Sequence, residues 1–393
     1  GDKPRRAARV ANKTLVSFVE RNIPSLNSIQ DAIHMLIAAL ADAQLAIIDG
    51  PEETWMGGKT TANIGVLLEV DQAWVEGNII NEVNDIQTEE FHNTIVPSRW
   101  VFACANIGDC KVLHFSKDTK TVFDITAISR SNYLDPTDPG GRLGPYKGLW
   151  PDTRNLAAFW IPVQEGDIIA SMSDGVHDNL DPQIQGLSPS TFGSDAADWD
   201  SAPKDWVVAT KQSYLRHFSE YLIGGDTFTP QHIKDVMITH CARNTERSRE
   251  YLSTNPSNRT PGSYADYPGK LDHASFCCFR VGEMNEKTRL NPSVNITTSH
   301  IGFSMKDRPC IPKKKSIDDV IAMVKEDLTR FAVRKAQCQD TSKPEPFPIS
   351  VITKEPAGGI RKRIRSVRHS EISMLSPLRS AQILKKKNFS GKP

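Results

Sequence analysis

Three times in this chain, a short apolar run suited to a buried strand meets an aspartate at its end. Residues 168–172 run directly into Ser173-Asp174-Gly175, and Asp272 immediately precedes the apolar run 274–281. Asp109 lies in the turn Asn106-Ile107-Gly108-Asp109-Cys110, between the runs 100–105 and 111–115. A carboxylate at the end of a stiff strand, with Gly turning the backbone away, is well placed to present oxygen to a cleft. Acids at three strand ends can meet in space, and Mg²⁺ or Mn²⁺ prefers carboxylate and water oxygens. The competing account of each residue is an Asp that hydrogen-bonds its own turn.

The rest of the pattern says what kind of fold would carry those strands. Within residues 28–49, Ile29, Ala32, Ile33, Leu36, Ala39, Leu40 and Ala43 recur at helical spacing. Ser28 is placed to cap that helix, and Asp49-Gly50-Pro51 to stop it. Residues 14–20 read as part of an earlier helix, and 204–222 and 230–251 as later ones. The extended segments are 61–70, 100–105, 111–115, 159–163, 167–172 and 274–281. The stretch 135–153, rich in Gly and Pro, reads as a surface loop, and 181–203 as another. Runs of strands with helices before and after point to a layered α+β domain rather than to βαβ repeats.

Composition limits the function classes. The 393 residues carry a net charge of +1, but the balance is uneven. Residues 361–393 hold ten Lys or Arg against one acid, a tail of +9, which leaves −8 for residues 1–360. An acidic body argues against a nucleic-acid-binding face on the fold. The tail segment Arg361-Lys362-Arg363-Ile364-Arg365 is a candidate for contact with an acidic partner or anionic surface, or for nuclear import. Seven Cys without CxxC pairs read as buried small hydrophobes of a reducing compartment. No uncharged apolar run reaches the roughly 20 residues of a membrane span, so a soluble cytoplasmic or nuclear protein is expected. The domain is expected over residues 1–283, then a linker 284–315, an appended helix 316–339 and a flexible basic tail 340–393.

Four segments, taken in order, resemble the metal-dependent Ser/Thr protein phosphatase family of type 2C. Gly57-Gly58-Lys59-Thr60-Thr61-Ala62 is similar to that family's GTTA segment, and Ala105-Asn106-Ile107-Gly108-Asp109-Cys110 to its ANVGDSR hairpin. Ser173-Asp174-Gly175-Val176-His177-Asp178 resembles its SDGxxD metal motif, and Leu271-Asp272-His273-Ala274 its closing segment. The resemblance implies a four-layer α-β-β-α sandwich of two antiparallel sheets flanked by helices. It implies that Asp174 and Asp272 ligate a pair of Mg²⁺ or Mn²⁺ ions, with Asp109 and Asp178 around an additional one. The implied reaction is hydrolysis of phosphoserine or phosphothreonine in a phosphorylated protein substrate, by a metal-bridged hydroxide.

The departures define an alternative. The family's DGHGG-like motif, whose Asp bridges the metals, has no counterpart here, and the LAVSRxxGD stretch is replaced by residues 148–156. His273 stands where the family has Asn or Asp. The chain is therefore expected either to lack first strands upstream of Gly1 or to be a divergent, catalytically inactive pseudophosphatase that acts as a binding or scaffold module. Arg142 and Arg154 are candidates to reach a substrate phosphate, or are simply exposed loop arginines. His177 could act as a general acid or be a turn residue beside Asp174. Gly58-Lys59-Thr60 fails as a P-loop, because Glu53 stands where the first Gly should be.

Overall fold

Two-residue alternation along the strands builds the layers. In a computed structural model, which describes residues 2–49, 54–69, 100–127, 132, 134–135, 138–224, 227–259, 262–282 and 316–339, strand β2 (Trp100–Ile107) is buried along its whole length. Its Ala103, Ala105 and Ile107 pack against helices, while Trp100, Phe102 and Cys104 point the other way into a core between sheets. The same division recurs on β3 (Lys111–Phe115) and β8 (Ile168–Met172). There Val112 and Ile169 face the intersheet core, and Leu113, Phe115, Ile168, Ala170 and Met172 face outward into helices. Strands covered on both faces read as continuous apolar runs, which is why they were legible.

One antiparallel sheet has the order β1 (Ala62–Glu69), β2, β7 (Ala157–Val163). The other runs β4 (Val122–Asp124), β3, β8, β9 (Phe276–Arg280). Helices α1 (Asp2–Asn22) and α2 (Ile29–Ile48) cover the first sheet. The second is covered by α4 (Lys204–Ile223) and α5 (Pro230–Asn244), the short helix α3 being Asp174–His177. The result is the four-layer α-β-β-α sandwich that the sequence resemblance implies. Ser28 caps α2 as expected, its hydroxyl accepting from Asp31 N at 3.0 Å. By length and composition α2 could cross a membrane. In the fold it is a core helix, with Ala32, Leu36, Ala39, Ala43 and Ile47 buried against α1 and the first sheet.

Three local readings change. The stretch 135–153 is not all loop: β5 (Arg142–Lys147) and β6 (Trp150–Asp152) form a hairpin, with Gly148 in the turn. Buried Gln44 of α2 fastens it, accepting from Gly144 N at 2.6 Å and donating to Leu149 O at 2.8 Å. The helical pattern 230–251 divides at Thr245 into α5 and α6 (Glu246–Thr254). Cys277 is exposed on β9 rather than buried.

The helix read from residue 316 onward is α7 (Ile317–Gln339). Ser316 and Asp319 cap it reciprocally, Asp319 N donating to Ser316 Oγ and Ser316 N to Asp319 Oδ2. Its Val320, Val324 and Leu328 are buried in the core that contains α4. The expected linker 284–315 and basic tail 340–393 lie outside the described residues.

Candidate functional site

Register places the acids along one edge. Lys111 of β3 pairs with Met172 of β8, and Met172 with Phe276 of β9. The residues just before β3, just after β8 and just before β9 therefore leave the second sheet on the same side. Ser173 ties two of these segments together. Its N donates to Ser275 O at 3.0 Å, its hydroxyl donates to His273 O at 3.1 Å, and the same oxygen accepts from Ser275 N at 2.9 Å. Gly175 is required by the closeness of the two segments, since a Cβ there would lie 2.6 Å from His273 O. Gly108 serves the third segment. Its φ of +103° suits the tight β2–β3 turn that carries Asp109.

At the meeting point is an ammonium group. Lys270 Nζ donates to Asp174 Oδ2 at 2.7 Å and to Asp178 Oδ2 at 2.8 Å, and lies 4.0 Å from Asp272 Oδ2. The lysine is held from behind as well as in front. Asn179, fully buried, accepts from Lys270 N through Oδ1 at 3.0 Å and donates to Lys270 O through Nδ2 at 3.1 Å. The same amide donates to Gly175 O and accepts from Asn244 Nδ2, so α3, α5 and the Lys270 segment share one anchor.

The remaining oxygen of Asp178 faces His177, Nδ1 to Oδ1 at 2.9 Å. Burial opposes ionisation of Asp178, but the facing His177 and Lys270 outweigh it and hold its carboxyl down to about 2. Burial likewise works against a charged Lys270. The attraction of Asp178 and Asp174 is larger and holds it well above the usual lysine range. The arrangement is a partly buried, mutually stabilised ionic cluster with its positive charge already supplied by the chain.

The expected site residues are brought together unequally. Asp174 and Asp178 share Lys270, while Asp272 stands at the mouth, its side chain 42% exposed and its Oδ1 accepting from His273 N at 2.7 Å. Asp109 is buried next to Cys110. Burial pushes the Cys110 thiol up to about 12; a contact with the Thr61 hydroxyl eases the shift, and the charges of Asp109 and Asp174 add to it. Arg154 is clamped, donating through Nε and Nη2 to Asp152 and through Nη1 and Nη2 to Asp138 at 3.0–3.2 Å. Arg142 opens β5 opposite Asp152.

A divalent ion does not fit the donors as they stand. Both inner carboxylates already bond Lys270. Among the described residues no group of three or more His, Cys, Asp or Glu is arranged to hold a metal. The acids stand out in the sequence beside apolar runs, whereas Lys270 does not. The signal was a lysine two residues before Asp272.

No family model matches the sequence. A stretch of 90 residues is 34% identical to the PP2C-like domain-containing protein CG9801 of Drosophila melanogaster, covering 22% of this chain and 13% of that protein. Among solved structures, the photosystem II phosphatase PBCP is similar with a TM-score of 0.35 and 13% identity, over 70% of this chain and 80% of that one. PppA, a regulatory component of the type VI secretion system in Pseudomonas aeruginosa, gives a TM-score of 0.24 and 12% identity over 53% and 71%.

Proposed function

We propose that this PP2C-like domain is a pseudophosphatase, a protein-binding or scaffold module that keeps the phosphatase-type fold without the hydrolytic centre. The observation that carries this reading is the bonding of both Asp174 and Asp178 to Lys270. Metal-assisted phosphate hydrolysis needs carboxylates with free lone pairs and an open position for water. Here the inner oxygens accept from an ammonium and an imidazole instead. The partner class that follows is a protein, including the phosphorylated proteins on which such folds act, met in the cytoplasm or nucleus. The +9 segment 361–393 would add affinity for acidic partners.

The second reading, a metal-dependent Ser/Thr phosphatase using Mg²⁺ or Mn²⁺, is favoured by one specific observation: Asp109, Asp174 and Asp272 do leave one sheet on the same edge. The two readings separate in one assay. The full-length protein is incubated with p-nitrophenyl phosphate and with phosphoserine and phosphothreonine peptides, with and without Mn²⁺, beside Asp174→Asn. Turnover indistinguishable from that of Asp174→Asn, together with retention of a phosphoprotein on the immobilised domain, is the expected result. Mn²⁺-dependent turnover abolished in Asp174→Asn would establish the enzyme instead.

A further inference from the structure

We infer that Lys270 is an internal replacement for a divalent ion: its ammonium fills the cation position of the Asp174–Asp178–Asp272 cluster, and this one side chain closes the site to metal. The inference deepens the non-catalytic reading and rests on it. Three observations carry it. The ammonium bonds both inner carboxylates at 2.7 and 2.8 Å and stands 4.0 Å from the third, a central position among the three.

Its placement is built by the fold. The Lys270 backbone is bonded on both sides by the buried Asn179 amide. It is also preceded by Gly269, which at φ +89° lets the chain pass where a Cβ would come within 2.8 Å of Asn244 O. Finally, the inner end of the cluster is buried: Asp178 is almost wholly enclosed and Lys270 only 20% exposed, with Asp174 and Asp272 more open to solvent. An ion pair at that inner end is kept, replaced by another cation or relieved by a proton, because carboxylates held together there repel one another and the innermost one loses its hydration.

The charge arithmetic shows why one residue can act as a switch. Three carboxylates carry −3, and the lysine reduces this to −2. Removing the lysine leaves −3, with the oxygens of Asp174 and Asp178 on one turn and that of Asp272 on a facing segment, a setting that favours a hard dication completed by water. With Lys270 in place a dication would have to enter beside a fixed positive charge and find its two inner oxygens already engaged.

The test is calorimetric titration of Mn²⁺ into the full chain, into Lys270→Ser and into Lys270→Ser/Asp174→Asn, with thermal melts of each. We expect no saturable Mn²⁺ binding by the unaltered chain up to about 1 mM. Lys270→Ser should melt lower without metal, bind Mn²⁺ at least tenfold more tightly and regain its melting temperature when Mn²⁺ is added. The double variant should lose that gain. Lys270→Gln keeps a donor for Asp174 and takes the place of the serine variant if the latter does not fold. The inference is overturned if the unaltered chain binds Mn²⁺ as tightly as the variant, or if a folded Lys270 variant binds no more than the unaltered chain. Metal-independent phosphatase turnover by the unaltered chain would overturn the non-catalytic reading alone, so the two failures are distinguishable.

Discussion

His240 shows how a single side chain couples the candidate site to pH. It lies on α5, packs edge-on against Phe218 with ring centroids 5.0 Å apart, and donates through Nε2 to Asn179 O at 2.7 Å. Burial is the main influence on it and holds the imidazole down to about 4, against 6.5 for an ordinary histidine. The folded protein therefore keeps His240 neutral while the unfolded chain takes up a proton below pH 6.5. Stability is lost as pH falls from about 6.5 to about 4, by on the order of 2–3 kcal/mol. Carboxylates with lowered values, such as Asp124 and Asp167, act in a separate window below 3.8. Urea unfolding at pH 7.5 and 4.5 should show the loss in the unaltered protein. In His240→Gln, which can still donate to Asn179, the slope should flatten by most of that amount. An unchanged slope would assign the pH dependence elsewhere.

Elements were legible wherever local pattern and burial agreed. Strands β2, β3 and β8 have both faces covered, so their apolar runs could hardly be anything else. The hairpin β5–β6 was hidden because Gly and Pro dominate its composition, and because it is fixed by Gln44, 100 residues away in sequence from Gly144. Strand β4 has three residues, too few for any period to register. The candidate site divides the same way. Its acids announce themselves beside strands, whereas Lys270 meets Asp174 and Asp178 across 96 and 92 residues, a closure that no local pattern encodes.

The joint between the α3 and Asp272 segments gives the element-scale prediction. Gly175→Ala places a methyl 2.6 Å from the main-chain oxygen of His273, which cannot rotate aside as a side chain can. Overpacking of this kind costs roughly 1–3 kcal/mol, and a domain of this size should melt about 2–4 °C lower for each kcal/mol. A melting temperature within 1 °C of the unaltered protein, on the order of measurement error for such a cost, would mean that the two segments separate freely.

At the scale of the whole molecule, α7 is reached only after the undescribed stretch 283–315, yet it docks into the core that the second sheet forms with α4. Val320 and Val324 are fully buried there. Asp327 accepts from Ser213 Oγ at 2.6 Å, Arg216 Nη2 at 2.7 Å and His217 Nε2 at 2.9 Å, all on α4. Burying a Val side chain is worth about 1.5–3 kcal/mol, so two of them outweigh a partly buried polar clasp in which all three donors share the single oxygen Oδ2 of Asp327. Apolar burial, more than the clasp, is what fixes the helix, and the two contributions can be told apart by substitution. Asp327→Ala should lower stability by about 1–2 kcal/mol and leave α7 docked. Val324→Asp puts an unpaired carboxylate into that core and should release the helix altogether. Limited trypsin digestion reads the difference: cleavage at Lys325 and Arg330 should precede cleavage elsewhere among the described residues in Val324→Asp, but not in Asp327→Ala. Equal protection in both variants would mean that α7 is held by contacts other than this face.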